Sequence, residues 1–270
     1  MITIPRSLPA LVLEHSPLVY FLAQVRFSPI LSMGDHVKEI QEQLRAIGYP
    51  VYVPMKTQTV TMTPTGPTIE EVTLWHFKDV ADETGVVLAS NFVSFQTLKY
   101  KRYDDELPRI LEVLEAVHDI VKIDVFERCG LRYVDVVYPD KNAGQAFDTY
   151  LQPEIVGLTG ESINVSPVLN SSVFAGTTEI GTLVVKFSTS TSPQILPLEL
   201  AAPPLAFKTD IPQGEAIGIL DLDHFLDRHE SFDQSKTAKY LAELHDAIAR
   251  TFNQCTTPKA RELWGKHEVE

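Results

Sequence analysis

"VFERCGLRYVDVVYP" (residues 125–139) decides how the rest of the chain is read. Cys129, Leu131 and Tyr133 alternate with Arg128, Gly130 and Arg132, the pattern of a β-strand. The alternation sends the two arginines and the glycine to one face of a sheet. Four residues apart, the guanidinium groups stand roughly 13 Å from each other at ~3.3 Å per residue. Planar forks of this kind fit phosphate or carboxylate. The pair therefore reads either as an anion site or as structural partners for the protein's own acids. Gly130 admits the close approach of a ligand, or of a neighbouring backbone or side chain. We adopt the structural reading. A central strand covered on its face cannot leave a guanidinium unpaired, because an unpaired buried charge costs several kcal/mol. Glu70, Glu71 and Glu199 are the expected partners.

On either side of this strand the chain runs through a similar order of elements. "LVYFLAQVRF" (18–27) is a strand. "GDHVKEIQEQLRAIG" carries Val37, Ile40, Leu44 and Ile47 on one helical stripe, with Asp35 expected to cap its start and Gly48 its end. "YPVYVPMKTQTVTMTP" reads as a strand broken by Pro54. "TIEEVTLWHFKD" and "GVVLASNFVSFQTLKY" are two more, joined by a turn at Asp82–Gly85. A helix follows from Asp104 or Asp105, with Leu107, Ile110, Leu111, Leu114 and Val117 inward. After the central strand come a short Pro-interrupted helical piece, a hairpin across Thr177–Glu179, an irregular stretch and the strand "EAIGILDLDHFL". A long helix places Leu241, Leu244, Ile248 and Phe252 on one face. Pro258 then opens a last turn after Thr257. Neighbouring strands joined by turns pair antiparallel. The fold class is therefore α+β: antiparallel sheet from two similarly built halves, residues 1–122 and 123–270, with a long C-terminal helix.

The chain has 270 residues, 44% of them hydrophobic, with 36 acids against 23 bases and a net charge of −13. That length supports a full core, and that charge repels nucleic acid and anionic membranes at long range. The two cysteines, Cys129 and Cys255, form no zinc-ligand pattern, and so few thiols fit a reducing, cytoplasmic setting. No apolar run reaches the roughly 20 residues needed to cross a bilayer.

The chemistry-bearing candidates are few. In "LDLDH" (220–224), Asp221 and Asp223 share a strand face and could hold Mg²⁺ beside a substrate phosphate. Equally, aspartates near a strand end cap the turn that follows. Lys99, Lys101 and Arg102 form the one dense basic cluster, and Lys99 joins Arg128 and Arg132 as a candidate anion ligand. His245 flanks the stripe of the last helix and reads as a satisfied, half-buried histidine. Phosphate-loop, dinucleotide, nucleophile-elbow and zinc-protease motifs are missing from the sequence.

Three segments, "SPLVYFLAQVRF", "RCGLRYVDVV" and "ILDLDHF…LAELHDAIARTFNQCTTPKARELWG", together resemble a sporadically distributed bacterial family of about this length. The likeness rests on Gly130, Leu131, Arg132 and Tyr133 in the central strand, and on Leu244, His245, Phe252, Thr257 and Trp264 near the C-terminus. It implies a single module and brings no catalytic residues. The reading adopted is a non-catalytic binding protein without a cofactor, partnered by another protein or by its own copies, with no membrane and no general nucleic-acid binding. The alternative is a Mg²⁺-dependent enzyme acting on a phosphate-containing substrate.

Overall fold

The structure is a computed structural model. It describes residues 11–63, 66–158, 163–165, 170–191, 195–196, 200, 205–207 and 214–268. The first half comprises β2 (Leu18–Phe27), α1 (Met33–Ala46), β3 (Val51–Thr63), β4 (Gly66–Lys78), β5 (Thr84–Leu88), β6 (Phe92–Thr97) and α2 (Tyr103–Val121). The second comprises β7 (Val125–Val137), α3 (Phe147–Tyr150), α4 (Pro153–Val156), β8 (Ser171–Thr177), β9 (Thr182–Ser190), β10 (Ile217–Ser231), α5 (Gln234–Cys255) and α6 (Pro258–Leu263). A separate ribbon joins β1 (Leu11–Leu13) to β11 (Lys266–Glu268).

Nine strands make one antiparallel sheet in the order β3-β4-β5-β6-β2-β7-β10-β9-β8, so the protein is α+β as the strand runs imply. In each half the first strand pairs with the last strand of the meander that follows: β2 with β6, and β7 with β10. The two first strands pair with each other at the centre. The boundary at 122/123 falls between α2 and β7, but the sheet runs across it without a break.

Strand alternation gives the sheet two unlike faces. Phe21, Ala23, Val25, Phe95, Leu131, Tyr133, Leu220 and Leu222 are buried on the first, against the stripes of α1, α2 and α5. Those stripes are the ones spaced in the sequence: Val37, Ile40 and Leu44; Leu107, Ile110, Leu114 and Val117; Leu241, Leu244 and Ile248. Phe252 is only partly buried, and its ring lies 6.0 Å from that of buried Trp264. The second face carries a smaller apolar cluster of Tyr20, Val134, Ile217 and Ile219, covered by Ile195 and Leu196 of the β9–β10 connection. That connection reaches far: Ala206 N–H donates to Asp82 O at 2.8 Å, and Leu205 Cδ2 lies 3.3 Å from where a Cβ on Gly85 would sit.

Four local expectations change. Pro54 does not break β3, which runs unbroken to Thr63. β3 ends the sheet among the described residues, and an outermost strand is where proline is tolerated. Residues 85–100 are not one strand but the hairpin β5–β6, turning at Ser90-Asn91; Ala89 N–H donates to Phe92 O. α1 starts one turn early, at Ser32, leaving Asp35 in its first turn to face the helix dipole rather than cap it. α2 likewise starts at Arg102 without a side-chain cap, with Asp104, Asp105 and Glu106 in its first turn. Of Asp233 and Ser235, either of which the sequence allows as the cap of α5, Asp233 is the cap and accepts from Lys236 N–H; Thr257 accepts from Ala260 N–H ahead of Pro258.

α5 is the helix that spans β7, β10 and α2. Leu241→Ala, at a fully buried position on it, is expected to lower stability by about 2–5 kcal/mol. Denaturant midpoints of the variant and wild type that coincide would contradict this docking.

Candidate functional site

Two of the sequence candidates turn out to be one feature. β7 and β10 are neighbours with Asp223 opposite Arg132 and Asp221 opposite Val134. Both aspartates therefore share the second face with the arginines. Arg132 reaches diagonally to Asp221: Nε donates to Oδ1 at 2.7 Å and Nη2 to Oδ2 at 2.6 Å. This is the bidentate fork geometry that makes arginine–carboxylate pairs strong. Arg132 is 8% exposed and Asp221 2%. Asp221 thus supplies the carboxylate expected of other residues. Glu199 and the side chains of Glu70 and Glu71 lie outside the described residues. Neither aspartate caps a strand end, since β10 continues to Ser231.

The rest of the face extends this charge pattern. Lys186 on β9 stands opposite Asp221. Asp223 is half-buried, and burial raises its carboxyl above the usual range, while Arg132 pulls it down and Asp221 pushes it up. Arg128 has a different role from Arg132. Its guanidinium stacks on the Phe225 ring at 3.5 Å from the centroid and only grazes exposed Asp227, at 3.5 Å. The glycine between the arginines makes room for that ring: a Cβ at Gly130 would lie 3.1 Å from Phe225 Cβ. Lys99 stays apart. It is mostly exposed and pairs with Glu83 at 3.3 Å, near the β4–β5 turn.

His224, the last residue of "LDLDH", points to the other face. Its Nδ1 donates to Leu244 O at 3.2 Å, and its Nε2 lies 2.9 Å from Thr178 Oγ1. It ties β10 to α5 rather than joining the aspartates. Among the described residues, no group of three or more His, Cys, Asp or Glu side chains is placed to hold a metal ion. His245 is the satisfied histidine expected: Nδ1 lies 2.9 Å from the Tyr133 hydroxyl, and the ring stacks on Tyr103 at 4.0 Å. Burial pushes its pKa down to about 4.

Two features escaped the sequence reading. The first is Asp135, on the helix-covered face beside Leu220 and Leu18. It is 3% exposed, and burial, with the charge of Asp221 second, pushes its pKa up to about 8. An acid alternating with Tyr133 and Val137 was the available signal.

The second is at the β8 edge. In the first half α1 covers the outer meander, with Gly34 close to Trp75. Among the described residues between β7 and β8 stand the short α3 and α4, which dock on the end of α5: Gln152 N–H donates to Cys255 O at 2.8 Å. The first face of β8–β9 carries an open cavity of about 320 Å³, lined by apolar Ile155, Phe174, Leu183 and Val185 together with Glu154 and Gln254. Five of the nine exposed large apolar residues among the described ones fall between 158 and 174: Leu158, Ile163, Val165, Val173 and Phe174. Asn170 Nδ2 donates to Leu158 O, which holds that residue near the start of β8.

No family model, no curated protein and no solved structure matches the chain.

Two outcomes test the buried charges. Arg132→Ala is expected to lower stability by about 3–5 kcal/mol, because Asp221 is left buried without its partner. Arg132→Ala/Asp221→Ala should lose clearly less than the sum of the single losses; additive losses in chemical melts would remove the pairing. For Asp135 the folded pKa lies above the unfolded value of about 3.9. The folded state therefore keeps a proton that the unfolded chain has lost. Stability from this group falls as pH rises from about 4 to about 8, by ~1.4 kcal/mol per pH unit. Asp135→Asn should be more stable than wild type at pH about 8, with the gain shrinking toward pH about 5. Parallel stability–pH curves for the two proteins would refute it.

Proposed function

We propose that the protein works by binding: a non-catalytic interaction module that belongs to a protein assembly or a homo-oligomer. The observation that carries this reading is the exposure of two large apolar side chains, Val173 and Phe174, on β8, the strand that ends the sheet among the described residues. Large apolar side chains that meet water on both faces of one strand suit a surface that another chain covers. The second face adds support. Asp221 fills the fork of Arg132, so a phosphate would have to displace a buried carboxylate. The enzyme alternative needs that fork open and Asp221 turned toward a metal. Cys129 and Cys255 are free and buried, which suits the reducing cytoplasm in which we place the protein. No helix among the described residues is long and apolar enough to cross a membrane.

Photo-crosslinking in the native host tests this reading. A crosslinker replacing exposed Val173 is expected to trap a protein, either this chain or another, whereas one replacing Lys38 on the solvent side of α1 is not. A clean background at 173 would remove the reading. Hydrolysis of phosphate esters by the purified protein with Mg²⁺, lost in Asp223→Asn, would put the enzyme alternative in its place.

A further inference from the structure

We propose that Arg26 and Arg128 form a binding site for a phosphate dianion, free or as a monoester, on the second face of the sheet. This surface is separate from β8, and the site stands independently of the interaction reading above.

Strand register brings the two arginines together. β2 and β7 are neighbours, and Arg26 is directly opposite Arg128. Residues so paired send their side chains to the same face, with Cβ atoms about 4.5–5.5 Å apart. Like charges in that position oppose folding unless something neutralises them. In a chain with 36 acids and 23 bases, a carboxylate is the ready answer. Lys78 meets Asp82, Arg109 meets Glu106 and Arg132 meets Asp221. Arg26 is half-buried, and among the described residues no carboxylate lies within ion-pair distance of it. Arg128 has Asp227 at 3.5 Å, and that side chain is 63% exposed. An ion pair so open to water contributes little, and it yields to a better acceptor. Asp223, the next acid on this face, stands opposite Arg132.

Arg128 is held ready for a ligand. Its guanidinium lies over the Phe225 ring, 3.5 Å from the centroid. A guanidinium that packs on a ring by its flat side presents its N–H groups edgewise, where an oxyanion accepts them. The ring approaches this closely because Gly130 has no side chain. Gly130 thus serves the site through Phe225. Gln24 is opposite Gly130 and adds a polar amide to the same face. Phe92 flanks Arg26 from β6.

A phosphate suits this pair better than a carboxylate. Two guanidinium groups bring two positive charges. A phosphate dianion matches both and offers oxygens to two forks at once. At −13 the chain as a whole repels such a ligand. Binding therefore comes from these short-range contacts and is weak, with a dissociation constant on the order of 1 mM. Arg132 takes no part, since Asp221 fills its fork.

Thermal unfolding of the purified chain at pH about 8, where phosphate is a dianion, tests this. Ionic strength is held constant while phosphate replaces chloride up to about 10 mM. Wild type should gain stability saturably, with the folding equilibrium shifted about tenfold at the top of the series. General exclusion of phosphate from protein surface raises every variant alike and does not saturate. Arg26→Gln and Arg128→Gln should each lose the saturable gain. Arg26→Lys keeps the charge without the fork and should bind more weakly than wild type. Arg45→Gln removes one charge from the exposed side of α1 and should keep the full gain. In chloride, Arg26→Gln should be no less stable than wild type, because an opposed like charge is gone. Phenyl phosphate separates the two sources: saturation at lower concentration than inorganic phosphate marks a monoester as the ligand, and saturation at the same or higher concentration marks free phosphate. A wild type without the saturable gain overturns the proposal. So does a gain retained in Arg26→Gln and Arg128→Gln, or one lost equally in Arg45→Gln. Arg26→Gln that is less stable than wild type in chloride makes Arg26 a structural residue and overturns it as well.

Discussion

A strand covered on both faces can hold a guanidinium only if a carboxylate is held with it, and the centre of this protein is arranged around that constraint. β7 has β2 on one side and β10 on the other, helices over one face and the β9–β10 connection over part of the second. Arg132 sits in this layer, and Asp221 meets it with two short charge-assisted bonds. Replacing such a pair with apolar residues is often neutral or stabilising, so its value is weak evidence for stability as such. Its geometry, by contrast, is demanding. A one-residue slip between β7 and β10 would send Asp221 to the helix face and leave Arg132 alone. The pair thus fixes the register of the two strands on which the second half is assembled.

From that register the other placements follow. Asp223 falls opposite Arg132, Phe225 opposite Gly130 and Asp227 opposite Arg128. The missing Cβ at Gly130 lets the Phe225 ring lie close, and Arg128 stacks on it. On the other face the same register delivers His224 to the carbonyl of Leu244, which ties β10 to α5. One strand pair therefore sets the polar layer on one side and the position of the longest helix on the other. At the centre of the polar layer the charges answer one another, with Asp221 in the fork of Arg132. At the β8 end of the sheet, Val173 and Phe174 are exposed.

The sequence by itself determined the element types, because each rests on local periodicity. The stripes of the three long helices, the alternation of β7 and the caps at Asp233 and Thr257 are written in neighbouring residues. Antiparallel pairing was legible too, from strands joined by short turns. The split between β5 and β6 was less so, because Ser90-Asn91 is a weak turn signal inside a long apolar run.

Only the tertiary structure decided which charges meet. Arg132 and Asp221 are 89 residues apart in the chain, and no spacing rule links positions on strands that meet through sheet order. The sequence consequently offered an anion site and a metal site as separate features, where folding joined Arg132 and Asp221 as one pair and sent Lys99 to Glu83. Edges were equally hidden. Pro54 reads as a strand breaker until β3 is found at the end of the sheet of described strands. Burial, pairing and edge position are properties of strand order, and strand order arises from long-range contacts that no local window of residues contains.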